Sequence, residues 1–254
     1  MKTTITAIAV SLLLFLVPCA HAAPPLVLFD QGHGQHFVIE ETGPLQLARL
    51  AGIFAATGAT VQSATTPLTT ERLKDVRALV ISGPFKPLSR SEQDAVINFL
   101  FDGGRLALML HIPMPMTTLL NRLHLYASNG AIHEENDILH DQDRDFLVND
   151  LSRHPLTRNL ENFAAYGCWA LLNANGQTRI IARTSARAWV DLNRNGQRDP
   201  ADPQQALGVA AVGNLGRGRY VVFGDDAIFQ NQFLTGNNEI LAKNLAAWLL
   251  EPGK

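Results

Sequence analysis

The sequence predicts an α/β fold: a doubly wound, mostly parallel sheet with a β-hairpin-rich insertion in its second half. Three observations carry this expectation. The runs "LVLFD", "RALVISG" and "RLALMLH" are apolar nearly throughout. Strands of that kind are covered on both faces, as in a parallel sheet. Amphipathic stretches separate them, and helices between such strands supply the cover. From Ala165 to Val212 the pattern turns to β-like runs broken by glycine-bearing turns.

Taken in order, "LVLFD" is a strand ending at Asp30, followed by the polar loop "QGHGQHF". Pro44 opens a helix whose Leu45, Leu47, Ala48, Ile53 and Phe54 share one face, and Gly58 stops it. "ATVQSA" and "RALVISG" are the next strands. Ser89 or Ser91 caps a helix with Glu92 in its first turn, and Asp102-Gly103-Gly104 ends it. "RLALMLH" is a fourth strand, and Met116 to Leu123 a short helix. Asn175-Gly176 lies between apolar runs, a hairpin cue, and "RAWV" with "ALGVAAVG" suggests a second hairpin around residues 191–202. "GNLGRGR" precedes the strand "GRYVVFG" and so reads as a hairpin turn; it lacks the following helix N-terminus that a phosphate cradle uses. Ile240, Leu241, Leu245, Trp248 and Leu249 mark a closing helix.

The start of the chain reads as an export signal. Lys2 is followed by an apolar run from Ala7 to Val17, and Ala20-His21-Ala22 has the small-x-small pattern of a cleavage site. The run falls short of the about 20 residues a bilayer span requires. Cleavage after Ala22 is expected, with residues 26–254 forming one domain and the mature chain periplasmic or secreted, with no membrane span. Lipidation at Cys19 is the alternative, against which Pro18 stands where a small residue is expected. A formal charge of −2 offers no basic excess for nucleic acid. Once Cys19 is removed, Cys168 has no disulfide partner and is expected to be a buried thiol.

The stretches "VLFDQGHGQHF" and "GRGRYVVFGDDAIFQNQFLTGNNEILAKNLAAWL" resemble the first strand and loop, and the last strand, loop and helix, of the class I glutamine amidotransferase-like superfamily. The closer resemblance is to its non-catalytic branch, which includes domains of gliding-motility transporter auxiliary and intraflagellar-transport proteins. It implies a flavodoxin-like or amidotransferase-like fold. The catalytic members place a cysteine on a Gly-flanked turn after a central strand. Here that strand ends "MLHIPMPM", and no His-x-Glu pair occurs near the C-terminus. Without an activated thiolate and its base, glutamine hydrolysis is not expected.

Ligands of such sheets gather outside the carboxyl ends of the strands. The sequence places Asp30, His33 and His36 there after the first strand, His111 after the fourth, and Asp225, Asp226 and Asn231 after the last. These form the expected ligand crevice. Their structural reading is that the aspartates cap backbone amides and the histidines line a polar rim. His133, Glu134, Glu135, Asp137, His140 and Asp141 offer metal-ligand chemistry at irregular spacing, which ordinarily marks a solvated loop. "DLNRNGQRDPAD" has the register of a calcium loop: Asp191, Asn193, Asn195, Gly196, Gln197, Asp199 and Asp202 stand at positions one, three, five, six, seven, nine and twelve. Its flanks read as strands, so a cation there would hold a hairpin rather than an EF-hand.

The resulting expectation is an exported, non-catalytic α/β binding or scaffold protein with structural calcium and an unidentified ligand or protein partner in the envelope. The alternative is a metal-dependent hydrolase acting on an envelope or extracellular substrate, with a transition metal held by His33, His111 and Asp225. A third reading is carbohydrate binding around Trp169 and Trp189.

Overall fold

A computed structural model describes residues 23–252; the expected export signal, with Cys19 and its cleavage site, lies outside the described residues. The first half alternates strand and helix: β1 (Leu26–Asp30), α1 (Ala48–Ala55), β2 (Thr60–Ala64), α2 (Thr70–Leu73), β3 (Val76–Ser82), α3 (Arg90–Phe101), β4 (Arg105–Met109) and α4 (Thr117–Arg122). Then come β5 (Leu125–His133), β6 (Ile138–Leu139), β7 (Gln142–Val148), β8 (Asp150–Leu151), β9 (Phe163–Tyr166), β10 (Trp169–Asn173), β11 (Thr178–Arg183), β12 (Trp189–Val190), β13 (Gly208–Leu215), β14 (Gly218–Phe223) and α5 (Gly236–Leu250).

Eleven strands form one sheet, with the path β12-β5-β10-β13-β14-β4-β3-β1-β2; β11 lies on β13 and β8 on β11. The expectation of a mostly parallel sheet holds for part of it. β2, β1, β3, β4 and β14 run parallel, in four pairs. The other six pairs are antiparallel. β6, β7 and β9 make a separate antiparallel sheet. The fold is thus mixed α/β, with its antiparallel strands beginning at Leu125, ahead of the 165–215 stretch expected to be β-rich.

Both faces of β1, β3, β4 and β14 are covered, because their residues are apolar on both sides, whereas the edge strand β2 is partly exposed. Val27, Phe29, Val80 and Val221 pack with Leu50 and Phe54 of α1 and Leu245 of α5. Leu28, Leu79, Ile81 and Val222 pack with Leu73 of α2 and Val96 and Leu100 of α3. Phe29 and Phe54 meet edge to face, their centroids 5.8 Å apart. Burying one such side chain stabilises by about 1.5–3 kcal/mol relative to exposure. α3 starts at Ser89, whose hydroxyl accepts from Glu92 N–H while the Glu92 carboxylate accepts from Ser89 N–H.

Three local expectations are corrected. α1 begins at Ala48 rather than at Pro44, and Leu45 is exposed, because Gln46 and Leu47 are held in a turn by the carbonyls of Gly43 and Val38. The Asn175-Gly176 turn forms, with Gln177 N–H on Asn175 Oδ1 at 3.0 Å. Its strands do not pair with each other, however: β10 goes to β5 and β11 to β13. Likewise β12 pairs with β5 rather than with β13. The 191–202 loop is closed at its base by Trp189 opposite Gln204, short of β13. In both cases alternation encodes which face a residue points to, and leaves the neighbouring strand unspecified. The β13–β14 hairpin forms as expected, around Gly216-Arg217.

Candidate functional site

The carboxyl ends of the parallel strands carry two separate clusters. Asp30 closes β1 and accepts from Gly32 N–H at 3.2 Å and the Gln35 amide at 2.6 Å. Its carboxylate also meets His33 Nδ1 at 2.8 Å, while His33 Nε2 meets Glu92 Oε1 at 3.0 Å. Glu92 is the carboxylate of the α3 capping box and also accepts from Leu68 N–H. The His33 carbonyl accepts from Phe85 and Lys86 N–H, so the loop after β1 is locked to the loop after β3. Burial lowers the His33 pKa, but the hydrogen bond and charge of Asp30, and then of Glu92, outweigh it and leave it raised above 6.5. Burial likewise opposes ionisation of Glu92, yet Ser89, Leu68 N–H and the His33 charge hold it below 4.5. This is a buried carboxylate–imidazole–carboxylate clasp with both ring nitrogens engaged.

The second cluster is open. His111 follows β4, and its Nδ1 lies 3.0 Å from Asp226 Oδ1; the imidazole side chain is 37% exposed against 2% for the aspartate. The hydrogen bond to Asp226 is the main influence raising the His111 pKa; burial opposes it, and the charges of Asp226 and Asp225 add to it. Phe37 and Phe85 flank the ring at 5.3 and 5.0 Å, and exposed His36 lies against Phe85 at 4.5 Å. Behind, the Trp169 indole N–H donates to the His111 carbonyl. Asp226 Oδ2 is buried without a hydrogen-bond partner and turned onto Gly83. Gly83 has φ +56°, and a Cβ there would overlap that oxygen. Two results follow. In Asp226→Asn the His111 pKa falls back toward 6.5, read from the imidazole proton shifts in an NMR titration. Gly83→Ala moves it the same way by displacing the carboxylate.

The remaining crevice residues face inward. Asp225 accepts from Tyr166 N–H at 2.6 Å and Ala227 N–H at 2.8 Å. Burial, reinforced by Asp226, pushes its carboxyl well above the usual range. Asn231 accepts from Arg49 N–H and donates to the Gly43 carbonyl, anchoring the start of α1. Cys168 is fully buried, and burial followed by the Asp225 charge pushes its thiol upward. Asp30 and Asp225 thus accept from backbone N–H groups, His33 is buried in the clasp rather than on a rim, and among the described residues His33, His111 and Asp225 do not form a group arranged to hold a metal ion. Glu92, Phe37 and Phe85 were not among the expected site residues. Only Glu92 had a signal, as part of a helix start.

Elsewhere, the stretch expected to be a solvated loop is partly interior. Glu134 is 1% exposed and accepts from Ser185 N–H and hydroxyl, and from Glu135 and Asn136 N–H. His133 is stacked on Trp189 at 4.3 Å and bonded to Asp143 at 2.7 Å. Glu135, Asp137, His140 and Asp141 are apart from that interior. Trp189 is thereby buried, whereas Trp169 lines a groove of about 370 Å³ with Met114 and Tyr126.

In the 191–202 loop, Asp191 accepts from Asn195 N–H at 3.2 Å and Gly196 N–H at 2.8 Å. Asp202 accepts from Leu192 and Asp199 N–H, and Asp199 Oδ2 from the amides of Asn193 and Asn195. Gln197 donates its N–H to Asn195 Oδ1. Among the described residues no group of three or more His, Cys, Asp or Glu side chains is arranged to hold a metal ion. No helix among them is long and apolar enough to cross a membrane.

A family model described as a domain of unknown function, DUF4350, matches residues 39–250. The chain belongs to the DUF4350 family. Among solved structures, this DUF4350 chain is similar to the "mmIFT52 N-terminal domain", with a TM-score of 0.71 and 18% identity over 90% of this chain and 99% of that one. It is also similar to a ThuA-like protein from Bacteroides uniformis ATCC 8492, with a TM-score of 0.52 and 16% identity over 94% and 97%. A cold-adapted β-galactosidase from Rahnella sp. R3 gives 0.53 and 13%, over 91% of this chain and 32% of the enzyme. At such identities the likeness is one of fold. No curated protein matches the DUF4350 chain in sequence.

Proposed function

We propose that this is an exported, non-catalytic α/β binding or scaffold protein of the amidotransferase-like, doubly wound type, engaging its ligand or protein partner through His111 and the rings around it. The observation that carries the reading is the His111–Asp226 pair. Asp226 fixes Nδ1, so the other ring nitrogen is presented outward at a strand end, where ligands of such sheets bind. Glutamine hydrolysis of the amidotransferase kind needs a thiolate beside its base; Cys168, the free cysteine among the described residues, is buried. The parallel strands covered on both faces support the amidotransferase-like reading. Incubation with glutamine should release no ammonia. Release that disappears in Cys168→Ser would overturn the proposal.

The same reading includes calcium in the 191–202 loop. A carboxylate has about four lone-pair sites, so the N–H bonds on Asp191 and Asp202 leave it able to bind a cation as well. Backbone donors, led by Gly196 N–H, outweigh burial and hold the Asp191 pKa low, keeping the anion. Calcium at about millimolar concentration should raise the melting temperature where magnesium does not. At a hundredfold excess over Kd the gain is about 2.7 kcal/mol. Asp199→Asn, whose side chain meets only Asn193 and Asn195, should remove the effect; an identical melt with and without calcium contradicts it.

A further inference from the structure

The opposite ends of the strands carry an unbalanced group of arginines. β3, β4 and β14 are neighbours, and each has an arginine in its first two residues: Arg77, Arg105 and Arg219. Arg105 and Arg219 are in direct register. Arg217, from the preceding turn, is the fourth, and together they line a cleft of about 460 Å³. Two carboxylates lie in the same cleft: Glu251, 2.9 Å from Arg219, and Asp102, 3.6 Å from Arg217. Four positive and two negative side chains leave an excess of +2.

Part of this charge has a structural task. The last carbonyls of a helix lack partners and carry partial negative charge. At the end of α5, Arg105 donates to the carbonyls of Trp248 and Leu249 at 3.3 and 3.2 Å, and Arg219 also donates to Trp248. Arg77 donates to the Glu251 carbonyl. A helix end of about half a unit charge does not account for three guanidiniums. Arg105 is only 6% exposed, and burial together with Arg219 and Arg77 lowers its pKa to about 10. Arg219 Nε is buried with no hydrogen-bond partner. Neighbouring His154 is pulled down to about 4 by burial, Arg179 and Arg219. Among the described residues that line the cleft, positive side chains therefore outnumber negative ones.

From this geometry we infer that the cleft binds a phosphate-bearing ligand, a phosphate monoester or inorganic phosphate. Guanidinium forks match the oxygens of phosphate. Here Arg105 and Arg219 are pre-ordered by the α5 carbonyls, so little of their side-chain freedom is lost on binding. The excess of +2 equals what a monoester neutralises, since it carries about −1.5 to −2 at pH 7; a carboxylate would leave half of it. The site lies at the other end of the strands from His111 and does not depend on the binding role proposed above.

Calorimetric titration of the purified protein with inorganic phosphate and with glycerol 3-phosphate, at constant ionic strength against chloride, tests this. Saturable binding is expected, weakened about tenfold in Arg217→Ala and in Arg77→Gln. The Arg217 side chain is 77% exposed, so its removal leaves the fold intact, which circular dichroism checks. Sedimentation with vesicles containing phosphatidic acid, but not with phosphatidylcholine alone, and lost in Arg217→Ala, would place the phosphate on a lipid headgroup. Binding of the soluble ester alone would place it on a small molecule. Absence of saturable binding to either by folded protein, or unchanged affinity in both variants, overturns the inference.

Discussion

Replacing His33 by leucine should destabilise the fold by about 3 kcal/mol or more, read as a lower urea midpoint at unchanged slope. The substitution leaves Asp30 and Glu92 facing an apolar group in the interior. The donors they keep, Gly32 N–H and the Gln35 amide on one, Ser89 and Leu68 N–H on the other, place the loss at the lower end for a broken buried ion pair. The difference from wild type depends on pH. His33 has its pKa raised above 6.5, so its contribution is complete below 6.5 and fades as pH rises through the raised value. Glu92 has its pKa lowered from 4.5, so its contribution is complete above 4.5 and fades as pH falls through the lowered value. The gap between variant and wild type is therefore widest between pH 4.5 and 6.5. The comparison must be a difference, because His154, pulled down to about 4, acts oppositely: its contribution is complete above 6.5 and is lost as pH falls to about 4. A gap independent of pH would contradict the clasp.

Gly224→Ala should be comparably damaging, by about 3 kcal/mol. Gly224 is where β14 passes between two neighbours: its N–H donates to Val209 and its carbonyl accepts from Trp169 N–H at 2.8 Å. A Cβ there would overlap the Trp169 carbonyl oxygen and crowd Cys168 Sγ. Backbone cannot yield as a side-chain tip can. The strain would fall on Asp225 and Asp226, the next two residues, so the loss of stability should come with a lowered His111 pKa. A variant as stable as wild type would show that β10 can move aside.

β1, β3, β4 and α3 were legible because their signals are local. A strand buried on both faces is apolar throughout, and Ser89 with Glu92 writes a helix start in four residues. The antiparallel strands were recognisable as strands, but their partners were not, since Ala182 of β11 has to find Ala210 and Leu151 rather than anything across its own turn. The site divides in the same way. The topology of parallel strands puts Asp30, His111 and Asp226 at strand ends. What each meets there depends on pairs far apart in sequence, such as His33 with Glu92 and His111 with Asp226. The consecutive residues Asp225 and Asp226 take opposite roles, one stapling backbone amides and the other orienting an imidazole. No pattern in the sequence separates them.

The position of β14 beside β4 sets a condition on how the chain reaches its native state. Arg105 waits for Arg219, and the face built by β1 and β3 is covered by α5, the last helix among the described residues. Until β14 and α5 have been made, the early strands have a free edge and an uncovered apolar side. Such late, long-range closure makes folding slow and leaves nascent chains prone to association. A truncation that removes α5 would therefore yield an aggregating fragment rather than a smaller folded unit.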